Sequence, residues 1–192
     1  MGLLDYRRQA RALYDEVRAC SEPSDGHRLW REGRERLFLE HPESPGQPGQ
    51  RLEHAPYDPA WRFVVGLEEA TPERLEVQTG TDGTAQFDRI GRVSLPGVGA
   101  LDVWWLASYG GGLFVPVKDA SCGVTTYGGG RYVLDTAKGA DLGGDADGLV
   151  VDLNFAYNPS CAYDPAWACP LPPLGNLVDA DIRAGELAPQ QG

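Results

Sequence analysis

Three stretches in the second half of the chain concentrate side chains able to hold a ligand or move a proton. In the first, Gly128, Gly129 and Gly130 precede Arg131. Consecutive glycines leave the backbone free to aim several N–H groups at an anion, and a guanidinium adds charge and a fork of donors. The run lacks the Lys-Ser/Thr pair of a phosphate loop and the Gly-x-Gly-x-x-Gly spacing of a dinucleotide fold, so a turn entering a strand is the plainer reading. In the second, Asp152-Leu-Asn-Phe-Ala-Tyr-Asn158, strand alternation sets Asp152, Asn154 and Ala156 on one face and Leu153, Phe155 and Tyr157 on the other. Buried carboxylate and amide groups need partners, so this pair either fastens neighbouring loops or awaits a ligand, with Arg131 the expected ion-pair partner of Asp152.

The third stretch sets Cys122 three residues after Asp119. A thiolate nucleophile needs a placed base, and His27, His41 and His54 all lie far towards the N-terminus, where they read as solvated. A half-buried small thiol is therefore the simpler reading of Cys122. Cys161 and Cys169 are spaced too widely for a Cys-x2-4-Cys zinc knuckle and have no histidine near them in sequence. Thiols packed in an aromatic loop, or a local disulfide formed on oxidation, fit better than a metal pair.

These stretches need a scaffold. Leu3, Tyr6, Ala10, Leu13, Tyr14 and Val17 recur at helical steps, which predicts a helix over 2–19. A second helix, capped by Ser24 or Asp25 and carrying Leu29, Trp30, Leu37 and Phe38, should stop before His41-Pro42. The Pro-, Gly- and Gln-rich segment 42–60 is a connection. From Trp61 the texture becomes that of short strands, at 61–67, 73–79, 85–90, 92–95, 100–108, 112–117, 131–136 and 149–157. Asp82-Gly83 and Pro96-Gly97-Val98-Gly99 supply reversals, and the tail 187–192 should be loose. Successive antiparallel strands must close or pack on a second layer, so the expected fold is mainly β: an antiparallel sandwich or barrel spanning 41–192, with an N-terminal helical segment, 1–40, packed on it.

Composition narrows the function classes. The chain has 192 residues and a formal charge of -11, from 17 Lys and Arg against 28 Asp and Glu. Such a surface repels phosphate backbones, which disfavours nucleic acid as a partner. No apolar run approaches the length of a membrane span and the N-terminus lacks a signal-peptide core, so the chain reads as cytoplasmic with reduced thiols. Only Lys118 and Lys138 are lysines, a skew that fits a high-GC genome and a salt-adapted host as well as it fits plain acidic solubility.

The blocks PYDPAWRF (56–63), LFVPVKDASCG (113–123), TYGGGRYV (126–133), DLNFAYNPSCAYDPAWACPLPP (152–173) and IRAGE (182–186) resemble the signature blocks of the family of domain of unknown function 1684. The resemblance covers 41–186. It implies a common architecture and a shared site at Asp119, Arg131, Tyr132, Asp152, Asn154, Tyr157 and Asn158. Three positions depart from the family pattern: Thr125 stands for a Glu, Cys122 for a Ser and Gly175 for a Glu.

Three readings follow: a small-molecule-binding β domain with a polar pocket; a hydrolase or transferase acting through Asp119, Cys122 or Asp152; and a structural or interaction domain whose blocks specify a loop-rich fold. Tyr, Trp and Asn abound in the second half without a recognisable acid–base pair, which favours the first. No residue pattern specifies a cofactor or an oligomeric state. If the acidity is a salt adaptation, the melting temperature should climb steeply between 0.01 and 1 M potassium chloride, as the Debye length falls from ~30 Å to ~3 Å. A flat response would assign the charge to solubility alone.

Overall fold

The computed structural model describes residues 1–79, 83–145 and 148–190. Helix α1 (Gly2–Ala19) turns its buried stripe, Leu13, Tyr14 and Val17, towards helix α2 (Pro23–Glu40) and the sheets. Helix α2 is capped two residues before Ser24 and three before Asp25, its expected caps. Its N-cap is Glu22 and makes no side-chain cap, because Pro23 occupies the first turn, where a missing N–H costs nothing. The helix ends before His41-Pro42 as expected.

The strands are β1 (Arg62–Val65), β2 (Arg74–Thr79), β3 (Gly83–Leu95), β4 (Gly99–Leu106), β5 (Leu113–Val117), β6 (Arg131–Asp135), β7 (Gly144–Asp145) and β8 (Gly148–Asp152). All pairings within the two sheets are antiparallel. One sheet is a meander in the order β2-β3-β4-β5-β6, and the other has the order β1-β8-β7. Among the described residues neither sheet closes on itself, so the architecture is sandwich-like and the barrel alternative falls away. No helix among the described residues is long and apolar enough to cross a membrane.

Two expected strands, 85–90 and 92–95, are one. Strand β3 shifts register between Arg89 and Gly91, and there the segment after β1 docks through the mutual backbone bonds of Glu68 and Arg92, at 2.8 and 2.9 Å. A Cβ at Gly91 would come within 2.7 Å of the Glu68 carbonyl, so glycine permits the crossing that joins the two sheets. The expected strand 149–157 is shorter than its alternation suggested. The Asp152 Oδ1 accepts the Asn154 N–H at 3.0 Å and turns the chain into a 3-10 turn, Leu153–Phe155, in which all three side chains are buried. A local carboxylate-to-backbone bond here outcompetes the ladder. The reversal 96–99 forms between β3 and β4, whereas Thr81 and Asp82 lie outside the described residues.

Adjacent residues of the meander serve opposite faces. Val103, Val115 and Val133 enter the main core with Val151, Phe155, Ile182, Trp30 and the α1 stripe. Phe87, Trp104, Phe114 and Tyr132 form an aromatic cluster on the other face. Another 3-10 turn, Leu174–Asn176, is lashed to the meander by the Asn176 side chain. Its Nδ2 donates to the carbonyls of Asp102 and Pro116, each at 2.9 Å, and its Oδ1 accepts Trp104 Nε1 at 2.9 Å. A Cβ at Gly175 would overlap the Asp102 carboxylate, which is itself held by Arg89 and Arg92 at 2.8 and 2.7 Å. Glycine at this position leaves that space to Asp102.

Replacing Asn176 by Ala strands two carbonyls and one indole N–H in the interior. Urea denaturation should show a loss of roughly 2–4 kcal/mol. A change under 1 kcal/mol would mean that water replaces the amide there.

Candidate functional site

The residues expected to form a site occupy three places. The first is a buried hub on β6. Arg131 has 0% exposure, and its Nη2 approaches Asp119 Oδ1 at 3.4 Å and the Ile182 carbonyl at 3.3 Å. Its Nη1 donates to the carbonyls of Ala184 and Glu186. The other oxygen of Asp119 accepts the Ile182 N–H at 2.8 Å and the Ser121 hydroxyl at 2.7 Å. Asp119 and Arg131 thus clamp the segment 182–186 to the meander. The expected ion pair of Arg131 with Asp152 gives way to this one: β6 and β8 lie in different sheets, and the carboxylate beside Arg131 is that of Asp119.

Gly128 to Gly130 form the turn into β6. Gly130 donates its N–H to the Tyr127 carbonyl at 3.0 Å and has φ +87°, and a Cβ there would come within 2.8 Å of the Val117 carbonyl. Cys122 belongs to the same loop. Its Sγ donates to Asp119 Oδ1 at 3.3 Å, and burial pushes its thiol up from the ordinary value, against the demands of a nucleophile. Thr125 is exposed, so no interior carboxylate goes missing there.

The second place surrounds Asp152 and Asn154. Asn154 grips the backbone of Asp58 from both sides, Oδ1 accepting its N–H at 3.0 Å and Nδ2 donating to its carbonyl at 2.9 Å. Asp152 gives Oδ1 to Asn154, while Oδ2 has no hydrogen bond and lies 3.8 Å from Arg62 Nε. Burial raises the Asp152 carboxyl to about 6. His27, expected to be solvated, is 2% exposed and sits 3.0 Å from the Asn154 carbonyl, between the rings of Trp30, Tyr57 and Phe155. His54 packs edge-on against Trp30. The buried stripe of α2 carries His27 and Trp30 inward, and His54 is buried by packing on the same indole. Burial lowers His27 to about 4 and His54 to about 3.

The third place is a cleft of about 100 Å³ between the two helices, β6 and residues 157–163. Tyr132, Tyr157 and Asn158 line it, together with Tyr14, Trp30, Arg34, Lys138 and Tyr163. The Arg34 guanidinium lies 4.7 Å above the Tyr157 ring and grips the wholly buried Glu186 at 2.8 and 2.9 Å. Asn158 Nδ2 meets the other Glu186 oxygen at 3.2 Å and the Leu187 carbonyl at 2.7 Å. Lys138 pairs with Asp135 at 3.2 Å. The cleft is therefore charge-balanced, with aromatic walls. The tail is fastened rather than loose as far as it is described: Leu187 and Ala188 donate to the carbonyls of Glu53 and Thr125. Residues 191 and 192 lie outside the described residues.

Sequence reading passed over Arg34 and Glu186. The signal for Arg34 was its place four residues after Trp30 and three before Leu37, a charged group on the buried stripe of α2. Glu186 closes the last signature block, yet nothing local marks it as buried.

Comparison with known proteins gives one family and one described relative. The family model described as Protein of unknown function (DUF1684) matches residues 50–187. The solution NMR structure of an uncharacterized protein of Haloarcula marismortui is 31% identical, covering 82% of this chain and 89% of that one, with a TM-score of 0.57. No curated protein matches.

The buried titratable groups set opposing pH slopes. His27 and His54 are held neutral, so their contribution is whole above the unfolded value of about 6.5 and is lost as pH falls through it towards 4 and 3. Asp152 is raised, so its contribution is whole below about 3.9 and is lost as pH rises through 6. Two histidines outweigh one aspartate, and stability should fall from pH 7 to pH 4.5. Asp152→Asn should gain on the order of 2 kcal/mol at pH 7 and fall more steeply with acid. Parallel curves for the two proteins, from denaturant titrations at both pH values, would refute the assignment.

Proposed function

The chain belongs to the DUF1684 family, and from that premise we propose that it is a binding domain for a small, uncharged molecule with an apolar or aromatic body and a hydroxyl-like tip. The observation that supports this most is the cleft, where the signature residues Tyr132, Tyr157 and Asn158 meet Tyr14, Trp30 and Arg34. Aromatic walls recognise a flat or apolar body, and tyrosine hydroxyls offer hydrogen bonds to its tip. Charge decides the rest. Arg34 is matched by Glu186 and Lys138 by Asp135, so a charged ligand would face no unpaired opposite charge. Size limits the ligand to a handful of buried heavy atoms, because about 100 Å³ is smaller than the ~150 Å³ cavity that accommodates benzene.

The polar groups of the signature blocks outside the cleft favour a fastening role on this reading: Asp119, Arg131 and Asn154 bond largely to backbone groups of their own chain. The net charge of -11 supports a role away from nucleic acid and a salt-adapted surface.

Pyrrole and isobutanol, each of five heavy atoms and smaller than benzene, are suitable probes. At a hundred times its dissociation constant a ligand adds about 2.7 kcal/mol, a rise of several degrees in melting temperature. Ala10 lines the cleft, so Ala10→Phe should fill it and abolish the rise while the protein still folds. An unchanged rise in the variant, or none in the parent, would defeat the proposal.

A further inference from the structure

Cys161 and Cys169 lie eight residues apart on a loop that folds back on itself. The 3-10 turn Ser160–Ala162 begins it, the Asp164 N–H donates to the Ser160 carbonyl at 3.1 Å, and Asp164 Oδ1 accepts the Ala166 N–H at 2.9 Å. This curl returns the second cysteine to the first. The Cys161 N–H donates to Cys169 Sγ at 3.4 Å, which brings the two cysteines together. The Tyr127 hydroxyl reaches Cys161 Sγ at 3.8 Å. Both thiols are half-buried, whereas residues 165–168 between them are exposed, so a small partner can approach from the loop side.

We propose that Cys161 and Cys169 form a thiol–disulfide exchange centre, with Cys169 the attacking sulfur and Cys161 the resolving one. The two sulfurs are not equivalent. The neighbouring Cys161 thiol, the Cys161 N–H at 3.4 Å and the Lys138 charge hold Cys169 down at about 6. The same neighbour pushes Cys161 up, with burial adding to the effect. The Cys161 N–H aimed at Cys169 Sγ favours a thiolate there over one at Cys161, the asymmetry that an attacking and resolving pair requires. Cys122, raised by burial, is the internal contrast.

The oxidant is a small-molecule disulfide, RSSR. The Cys169 thiolate attacks one sulfur, forming Cys169–S–S–R and releasing RS⁻. Cys161 then loses its proton to that thiolate and attacks the Cys169 sulfur, forming the Cys161–Cys169 bond and expelling the second RS⁻, which takes a proton from solvent. In sum, two protein thiols are oxidised, one RSSR is reduced to two RSH, and the proton taken from solvent equals the one Cys169 had released to it.

The test uses the whole reduced protein with oxidised glutathione as the disulfide. Peptide mapping should find a single Cys161–Cys169 link, with Cys20 and Cys122 still free. Site-resolved alkylation with iodoacetamide should show a half-maximal rate near pH 6 for Cys169, which at pH 7 should react at least about tenfold faster than Cys122. Cys161→Ser should trap the mixed disulfide on Cys169, because no resolving thiol remains. Links to other cysteines, four free thiols at equilibrium with oxidised glutathione, or a Cys169 midpoint above pH 8 would each overturn the proposal. The alkylation profile of the unmodified chain decides the matter if the variant fails to fold.

Discussion

Arg131 carries a full charge at 0% exposure, and the fold is arranged to tolerate it. One carboxylate, Asp119, and the carbonyls of Ile182, Ala184 and Glu186 face its two Nη atoms, while its buried Nε has no hydrogen-bond partner. Removing any buried ion's partner is costly, of order 3–5 kcal/mol, since the remaining charge cannot reach water. The segment 182–186 is therefore more than a cover. It supplies the dipoles that make the β6 charge bearable, and Asp119 returns the favour by holding the Ile182 N–H. Side chains in this segment then fill the core: Ile182 and Ala184 belong to the main cluster.

The same segment links the hub to the cleft. Glu186 sends its carbonyl to Arg131 and its carboxylate to Arg34 and Asn158, so a single residue fixes both the β6 charge and the wall of the cleft. Burial raises the Glu186 carboxyl in spite of Arg34, and the two-pronged grip of the guanidinium opposes that rise. Helix α2 is thereby tied by Arg34 to the C-terminal end of the chain, while His27 ties it to the turn after β8. Both attachments use the helix face that also carries Trp30 and Leu37.

Much of the scaffold was legible because it rests on short-range physics. Helical steps gave α1 almost to the residue, and turn chemistry located the 96–99 reversal. What escaped depends on encounters distant in sequence. Nothing near Arg131 says that its carboxylate is Asp119 rather than Asp152, since both lie in strand-end blocks of similar texture and only sheet membership separates them. The histidines were misread for a related reason: polar neighbours in sequence suggested solvent, but the aromatics beside them in space are Trp30, Tyr57 and Phe155. In the candidate site, residue types were readable, while their division between hub, Asp58 anchor and cleft was not.

The clamp on Arg131 also has a direction in time. Its three carbonyls lie 51 to 55 residues further along the chain, so on the ribosome the whole meander emerges with its central cation still lacking a shell. Sheet formation can begin early, but the β6 strand cannot bury its charge until the stretch through Glu186 has cleared the exit tunnel. Commitment to the native state is thus postponed until residues 182–186 have been made, and a nascent chain cut short before Ile182 carries a built-in mark of incompleteness, an arginine without the carbonyls that shield it.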